Sequence, residues 1–145
     1  MGDFDGTVRW LERARELERR IQLRNEQAER IRQALLPGAS KITGMPRGGG
    51  GDWTDRVAAV VELEKEIAGE IVEMRRVRGE IVRAIEAVED ADQRTVLEMR
   101  YLAGRRFDAI AREMHYDRTW IWEIHKRGVG AVAQIVNTSQ HRDVI

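Results

Sequence analysis

Residues 94 to 127 read RTVLEMRYLAGRRFDAIAREMHYDRTWIWEIHKR. Phe107, Ile110, Ala111 and Met114 recur at three- and four-residue spacing, the polar triplet His115-Tyr116-Asp117 interrupts, and Ile121 and Ile124 resume the period. That pattern predicts two amphipathic helices joined by a three-residue turn, a helix-turn-helix. Ala111 is the telling position. Two helices that cross steeply need a small side chain at their closest approach, with Ile110, Met114, Ile121 and Ile124 filling the wedge around it. His115 stands where such a turn often requires positive φ, a conformation that Gly adopts most easily and that Asn, Asp or His tolerates. Asp117 then caps the helix that follows, and upstream Asp90 or Asp92 caps a helix carrying Val96, Leu97 and Leu102. Residues 90 to 145 are therefore expected to form three short helices.

If Ile121 and Ile124 face inward, helical spacing places Arg118, Thr119, Trp122, Glu123 and Lys126 on the opposite face. In a helix-turn-helix that face enters the DNA major groove. Arginine can read guanine bidentately, threonine can touch a thymine methyl or a phosphate, and lysine neutralises backbone charge. Trp122 has two readings, contact with thymine methyls or sugars and burial against the helical hairpin. Arg105 and Arg106, ahead of the second short helix, are expected to meet phosphates, as are Lys126 and Arg127. His125 reads as a structural residue or a phosphate donor.

Working outward, apolar or small residues recur at Thr7, Trp10, Ala14, Leu17, Ile21, Ala28, Ile31 and Leu35, a heptad stripe that starts after the cap candidate Asp5 and is broken by Arg24. Pro37-Gly38 ends it. A second stripe runs Trp53, Val57, Val60, Ile67, Ile71, Met74, Ile81, Ile85 and Val88, broken by Glu64 and Arg78. Neither helix is stable alone with one side apolar, so the two should pair as a long antiparallel hairpin, a coiled coil over residues 1–89, followed by a DNA-binding domain over 90–145. With Leu36 near Trp53, that register sets Arg24 beside Glu64 and Arg78 beside Trp10. Between the stripes lies PGASKITGMPRGGGGD, residues 37–52, with six glycines and two prolines. It reads as a mobile linker, or as a docking element using Met45, Pro46 and Arg47. The glycine run is no P-loop, because Asp52-Trp53 stands where Lys-Ser/Thr would be needed.

Composition narrows the class. The 145 residues include 25 basic and 25 acidic side chains, 42% hydrophobic residues and no cysteine. An excess of Ala, Leu, Ile, Glu and Arg over Phe, Tyr and Pro favours an all-α protein. No apolar run is long enough for a membrane span, and MGDFDGTVRWLERA carries charges where a signal peptide needs an apolar core, so a cytoplasmic protein is expected. Without cysteine there are no disulfides and no thiolate nucleophile, and His115, His125 and His141 are the remaining imidazoles, so no metal or cofactor is expected. No Ser-His-Asp or Cys-His arrangement suggests an enzyme. Charge is balanced overall, yet residues 100–127 hold seven basic against four acidic groups. A polyanion contact belongs there.

The stretch 94–127 resembles region four of bacterial sigma factors, and more closely the ArpU and RinA-type phage late-gene regulators. The residues that carry the resemblance are Val96, Leu97, Arg100, Tyr101, Leu102, Gly104, Ile110, Ala111, Tyr116, Ile121, Ile124, His125 and Arg127. The preceding coiled coil and the segment ITGMPRGGGG are similar to that phage family too. The departures are His115 for a turn glycine, Asp117 for a capping serine, and Gly128 and Gly130 where the last helix normally continues with Ala and Leu. The resemblance implies a phage or prophage transcriptional regulator in a bacterial host cell, with a sigma-region-four-like helix-turn-helix on double-stranded DNA, contact with host RNA polymerase and a possible homo-oligomer. The competing reading is a small terminase-like packaging adaptor, which also joins such a motif to an oligomerising helical region. A third is a partner-binding protein whose hairpin grips RNA polymerase or a host factor and whose DNA contact is secondary.

The glycine-rich segment yields a direct test. Ordering it costs ~1 kcal/mol or more per residue fixed, so limited proteolysis of the free protein should cut first after Lys41 or Arg47. Resistance at both sites would overturn this reading of the linker.

Overall fold

The computed structural model describes residues 3–36 and 50–143, and every regular element among them is helical. Helix α1 spans Phe4–Leu35 and α2 spans Gly50–Glu86. Helix α3, Ala91–Leu97, runs into a π-helical turn over Glu98–Leu102, and α4 (Phe107–Met114) and α5 (Arg118–Asp143) follow. The sequence-based expectations for Lys41, Met45, Pro46, Arg47 and the start of the glycine run lie outside the described residues. Three boundaries differ from expectation. Asp5 is not a cap but sits in the first turn of α1, where its charge suits the helix dipole, and the Asp3 carbonyl accepts from the Thr7 N–H at 3.0 Å. Helix α2 starts at Gly50 and not Trp53. The last helix is long.

The chain divides into two compact units, residues 17–74 and residues 1–16 with 75–145. In the first, Ile21 and Ala28 of α1 and Ile67 of α2 are buried together, with Leu63, Ile71 and Met74 packed against them. Arg24 lies 2.5 Å from both Glu66 and Glu70, and Arg32 bonds Glu64 at 3.0 Å. The register is thus displaced by about one helical turn from the expected Arg24–Glu64 pairing. The reason is geometric: once Ile21 and Ala28 fit among Leu63, Ile67, Ile71 and Met74, Arg24 faces the two carboxylates that α2 offers at i and i+4.

In the other unit, Leu11 and Ala14 of α1 and Ile81 and Ile85 of α2 are fully or almost fully buried, as are Val96, Leu97, Ile110, Ile121, Val129 and Val132 of the later helices. Arg13 bonds Glu80 at 3.0 Å and lies over the Trp10 ring at 4.7 Å. Arg78 donates to the Leu102 carbonyl at 3.5 Å, and the cation over the Trp10 ring is Arg13, three residues further along α1. Arg94 braces the link between α2 and α3, donating to the Val88 and Glu89 carbonyls at 2.7 and 2.9 Å. Those carbonyls have no helical partner of their own. Asp90 caps α3 by accepting from the Gln93 N–H at 2.9 Å.

Helix α5 continues through both glycines. A Cβ at Gly128 would stand 3.1 Å from Leu97 Cδ1 and 3.5 Å from Gln93 Cβ, so this glycine is the point where α5 presses on α3. At Gly130 a Cβ would meet nothing within 4 Å. Opposite effects are expected from filling the two sites. Gly128→Val should lose roughly 1–3 kcal/mol by overpacking, whereas Gly130→Ala should gain up to about 1 kcal/mol from helix propensity. Urea unfolding of both variants decides it: equal effects would refute the assigned α3–α5 contact.

Candidate nucleic-acid interface

Helix α4 ends in a left-handed residue. His115 has φ 60° and ψ 37°; its N–H meets the Arg112 carbonyl at 3.4 Å, and the Tyr116 N–H meets that of Ala111 at 3.1 Å. This is the two-bond helix ending built around an αL residue, here filled by a histidine. Asp117 then accepts from the Trp120 N–H at 2.8 Å, which caps α5, and the Tyr116 hydroxyl donates to Asp92 at 2.8 Å, which fastens the turn to α3. Beneath the turn Ile110, Ala111, Ile121 and Ile124 form one buried cluster with Val96, and Met99, Phe107 and Met114 pack on its edge.

The buried side of α5 leaves Thr119, Glu123 and Lys126 at the centre of its outer face, with Arg118 and Trp122 along one flank. Arg118, with 74% of its side chain exposed, lies 3.2 Å from Asp108 in the first turn of α4. Lys126 pairs with Glu123 at 2.8 Å, and that hydrogen bond holds the Glu123 carboxyl below its ordinary range. Arg105 is paired with Glu113, while Arg106 is exposed at the start of α4 with no ion pair among the described residues. Phe107, Arg118, Thr119 and Trp122 line an open cleft of about 400 Å³. Arg127 falls outside this group. Nine residues from Arg118 it occupies the opposite flank of the helix, over the ring of Trp120 at 5.3 Å. Trp120, 39% exposed, lies outside the face that helical spacing from Ile121 and Ile124 selects. Its seven-residue spacing from Arg127 is the signal that would have found it.

Trp122 is held by the protein on one side. Its ring stacks on His125 at 5.0 Å and meets Phe107 and Phe4 edge-on at 5.4 and 6.1 Å, leaving 41% of the residue exposed. His125 itself is only 2% exposed, and this excludes the phosphate-donor reading. Its Nε2 shares a 2.6 Å hydrogen bond with the Tyr101 hydroxyl. Burial raises the Tyr101 pKa, so the phenol stays neutral within this bond, and His125 Nδ1 is buried without a partner among the described residues. Burial, with a smaller push from the Arg100 charge, lowers the His125 pKa to about 4. Arg100 is fixed by stacking over Phe107 at 4.4 Å and donating to the Arg105 carbonyl at 3.1 Å.

A family model described as "Protein of unknown function (DUF1492)" matches residues 35–132. The chain belongs to this family. The matched DUF1492 region takes in the whole of α2, α3 and α4 and the first half of α5, and so every residue of the cleft. No curated protein and no solved structure matches the chain. No helix among the described residues is long and apolar enough to cross a membrane.

The buried imidazole makes stability pH-dependent in this DUF1492 protein. Its pKa is about 4 when folded against an ordinary 6.5. The unfolded chain binds the extra proton first, so the contribution is complete above pH 6.5 and is lost as pH falls from 6.5 to 4, by roughly 3 kcal/mol. Denaturant midpoints measured across that interval for the wild type and His125→Gln should show a steeper fall in the wild type. Parallel curves would mean that His125 is solvated.

Proposed function

We propose that this DUF1492 protein is a DNA-binding transcriptional regulator of phage or prophage origin, acting in the bacterial cytoplasm and not an enzyme. On this reading α1 and α2 form a helical hairpin, and α4, the turn and α5 form a sigma-region-four-like helix-turn-helix that recognises a promoter element. One observation supports it above the others: the left-handed His115 and the Asp117 cap direct the first turns of α5 outward with Arg118, Thr119 and Lys126 exposed. The surplus of seven basic over four acidic groups in residues 100–127 favours the same polyanion. The acids that now hold Arg118, Arg105 and Lys126 are themselves exposed, and exposed pairs are weak enough to exchange for phosphates.

Selection of bound fragments from phage genomic DNA at two salt concentrations tests whether a preferred site exists. On that site Arg118→Ala should lose roughly 1–3 kcal/mol and relax discrimination at one base pair. Arg105→Ala, Arg106→Ala and Lys126→Ala should weaken specific and random duplexes alike, each reducing the salt slope by about one unit. An Arg118→Ala variant with an unchanged ratio of specific to random affinity would remove α5 from the reading role. Binding to no duplex at low salt would remove the function.

A further inference from the structure

We propose that the cleft between α4 and α5 receives the 5-methyl group of a thymine, so that Trp122 and Phe107 form a second reading element beside Arg118. This inference rests on the DNA-binding reading above and names a base that the same site recognises. Phe107 of α4 and Arg118, Thr119 and Trp122 of α5 line the cleft. Its apolar lining is two aromatic rings that the protein already holds in place. His125 stacks on the Trp122 indole at 5.0 Å, Arg100 lies over the Phe107 ring at 4.4 Å, and the two rings meet edge-on at 5.4 Å. The indole nevertheless stays 41% exposed. A ring fixed in this way loses little side-chain freedom when a ligand touches it, so contact is favourable from the first apolar group that arrives.

The geometry selects which group that is. The ring planes of Phe107 and Trp122 are 84° apart, so they form no parallel-walled slot in which an extruded base could be sandwiched. What a stacked duplex offers is base edges, and the thymine methyl is the apolar group that projects from them into the major groove. Aromatic rings and the threonine methyl are its usual protein contacts, and this cleft combines both. A polar base edge pressed on the two rings would lose water without regaining its hydrogen bonds. A sugar would place Trp122 among the phosphate contacts, whereas Trp122 stands four residues from Arg118, the residue assigned to base reading, on the same flank of α5. A cleft of about 400 Å³ is roughly 7 Å across, the span of about two base steps. The thymine therefore lies within two base pairs of the one that Arg118 reads.

The test uses the preferred duplex obtained by fragment selection. Each of its thymines is replaced singly by deoxyuridine, which removes the methyl and keeps the base pairing. Within two base pairs of the position where Arg118→Ala relaxes discrimination, one replacement should weaken binding of the natural chain by about fourfold, the worth of one buried methyl-sized group. Trp122→Ala should bind the thymine and deoxyuridine duplexes alike, with the discrimination supplied by Arg118 retained. Disturbed packing alone would weaken both duplexes and leave their ratio unchanged. The deoxyuridine series on the natural chain decides the matter even where Trp122→Ala does not fold. A preferred duplex on which no replacement near the Arg118 position matters, or a thymine preference that survives in Trp122→Ala, would overturn the proposal and leave the DNA-binding reading standing. Binding to no duplex would remove both.

Discussion

The hydrogen bond between Tyr101 and His125 is the contact on which four elements converge. It is a buried polar pair enclosed by rings: Phe4 from α1, Phe107 from α4 and Trp122 from α5 all meet His125, and Tyr101 stacks on it at 5.7 Å. A buried pair of this kind is intolerant of slippage, because moving either ring leaves a second polar atom unsatisfied beside Nδ1. Tyr101 reaches it from the π-helical turn. The extra residue in that turn, closed by the Ala103 N–H to Glu98 carbonyl bond at 3.0 Å, rotates Tyr101 inward, and Gly104 at φ +70° then redirects the chain into α4. A side chain at Gly104 would collide with the Arg15 guanidinium, so the turn also presses on α1.

This arrangement separates what the sequence discloses from what it conceals. The inner face of α4, the positive φ at His115 and the cap at Asp117 follow from local chemistry, and each is present in the structure. The π-helical turn is not legible, since no residue type demands it and its cause is the partner that Tyr101 finds 24 residues away. The seam of the long helices is half legible. Helical periodicity points to Ala14, Ile21 and Ala28, but Leu11 is buried where Trp10 was expected, and Trp53 is 59% exposed at the end of its stripe. Heptad spacing specifies a face of the helix, whereas the choice between adjacent positions and the axial register depend on how side-chain volumes interlock across it. The fate of α5 was obscured for a related reason. Gly128 and Gly130 weaken helix propensity, but Val129 and Val132 are buried and Gly128 is where Leu97 needs room, so packing overrides propensity.

On the proposed DNA-binding reading, the site is equally a matter of partners that spacing alone does not reveal. Three of the seven residues singled out from sequence, Arg105, Arg118 and Lys126, each meet an acid of the protein. A phosphate that takes one of these cations leaves the carboxylate of Glu113, Asp108 or Glu123 nearby, and that repulsion opposes binding wherever no base contact compensates. Non-specific affinity therefore suffers more than specific affinity. Discrimination between sites is gained by penalising the wrong one, which is as effective in free energy as strengthening the right one.

On the same proposed reading the surface also needs rigidity, since a bidentate contact tolerates little error in the position of a guanidinium. Two turns at the start of a helix would not supply it alone. Helix α5 does so through its length: behind the outward residues Arg118, Thr119 and Lys126, the inward series Ile121, Ile124, His125, Gly128, Val129 and Val132 is buried without interruption. The second half of the helix anchors the first. That anchoring series runs to Val132, and within it the helix keeps a glycine at the one position where α5 closely approaches α3.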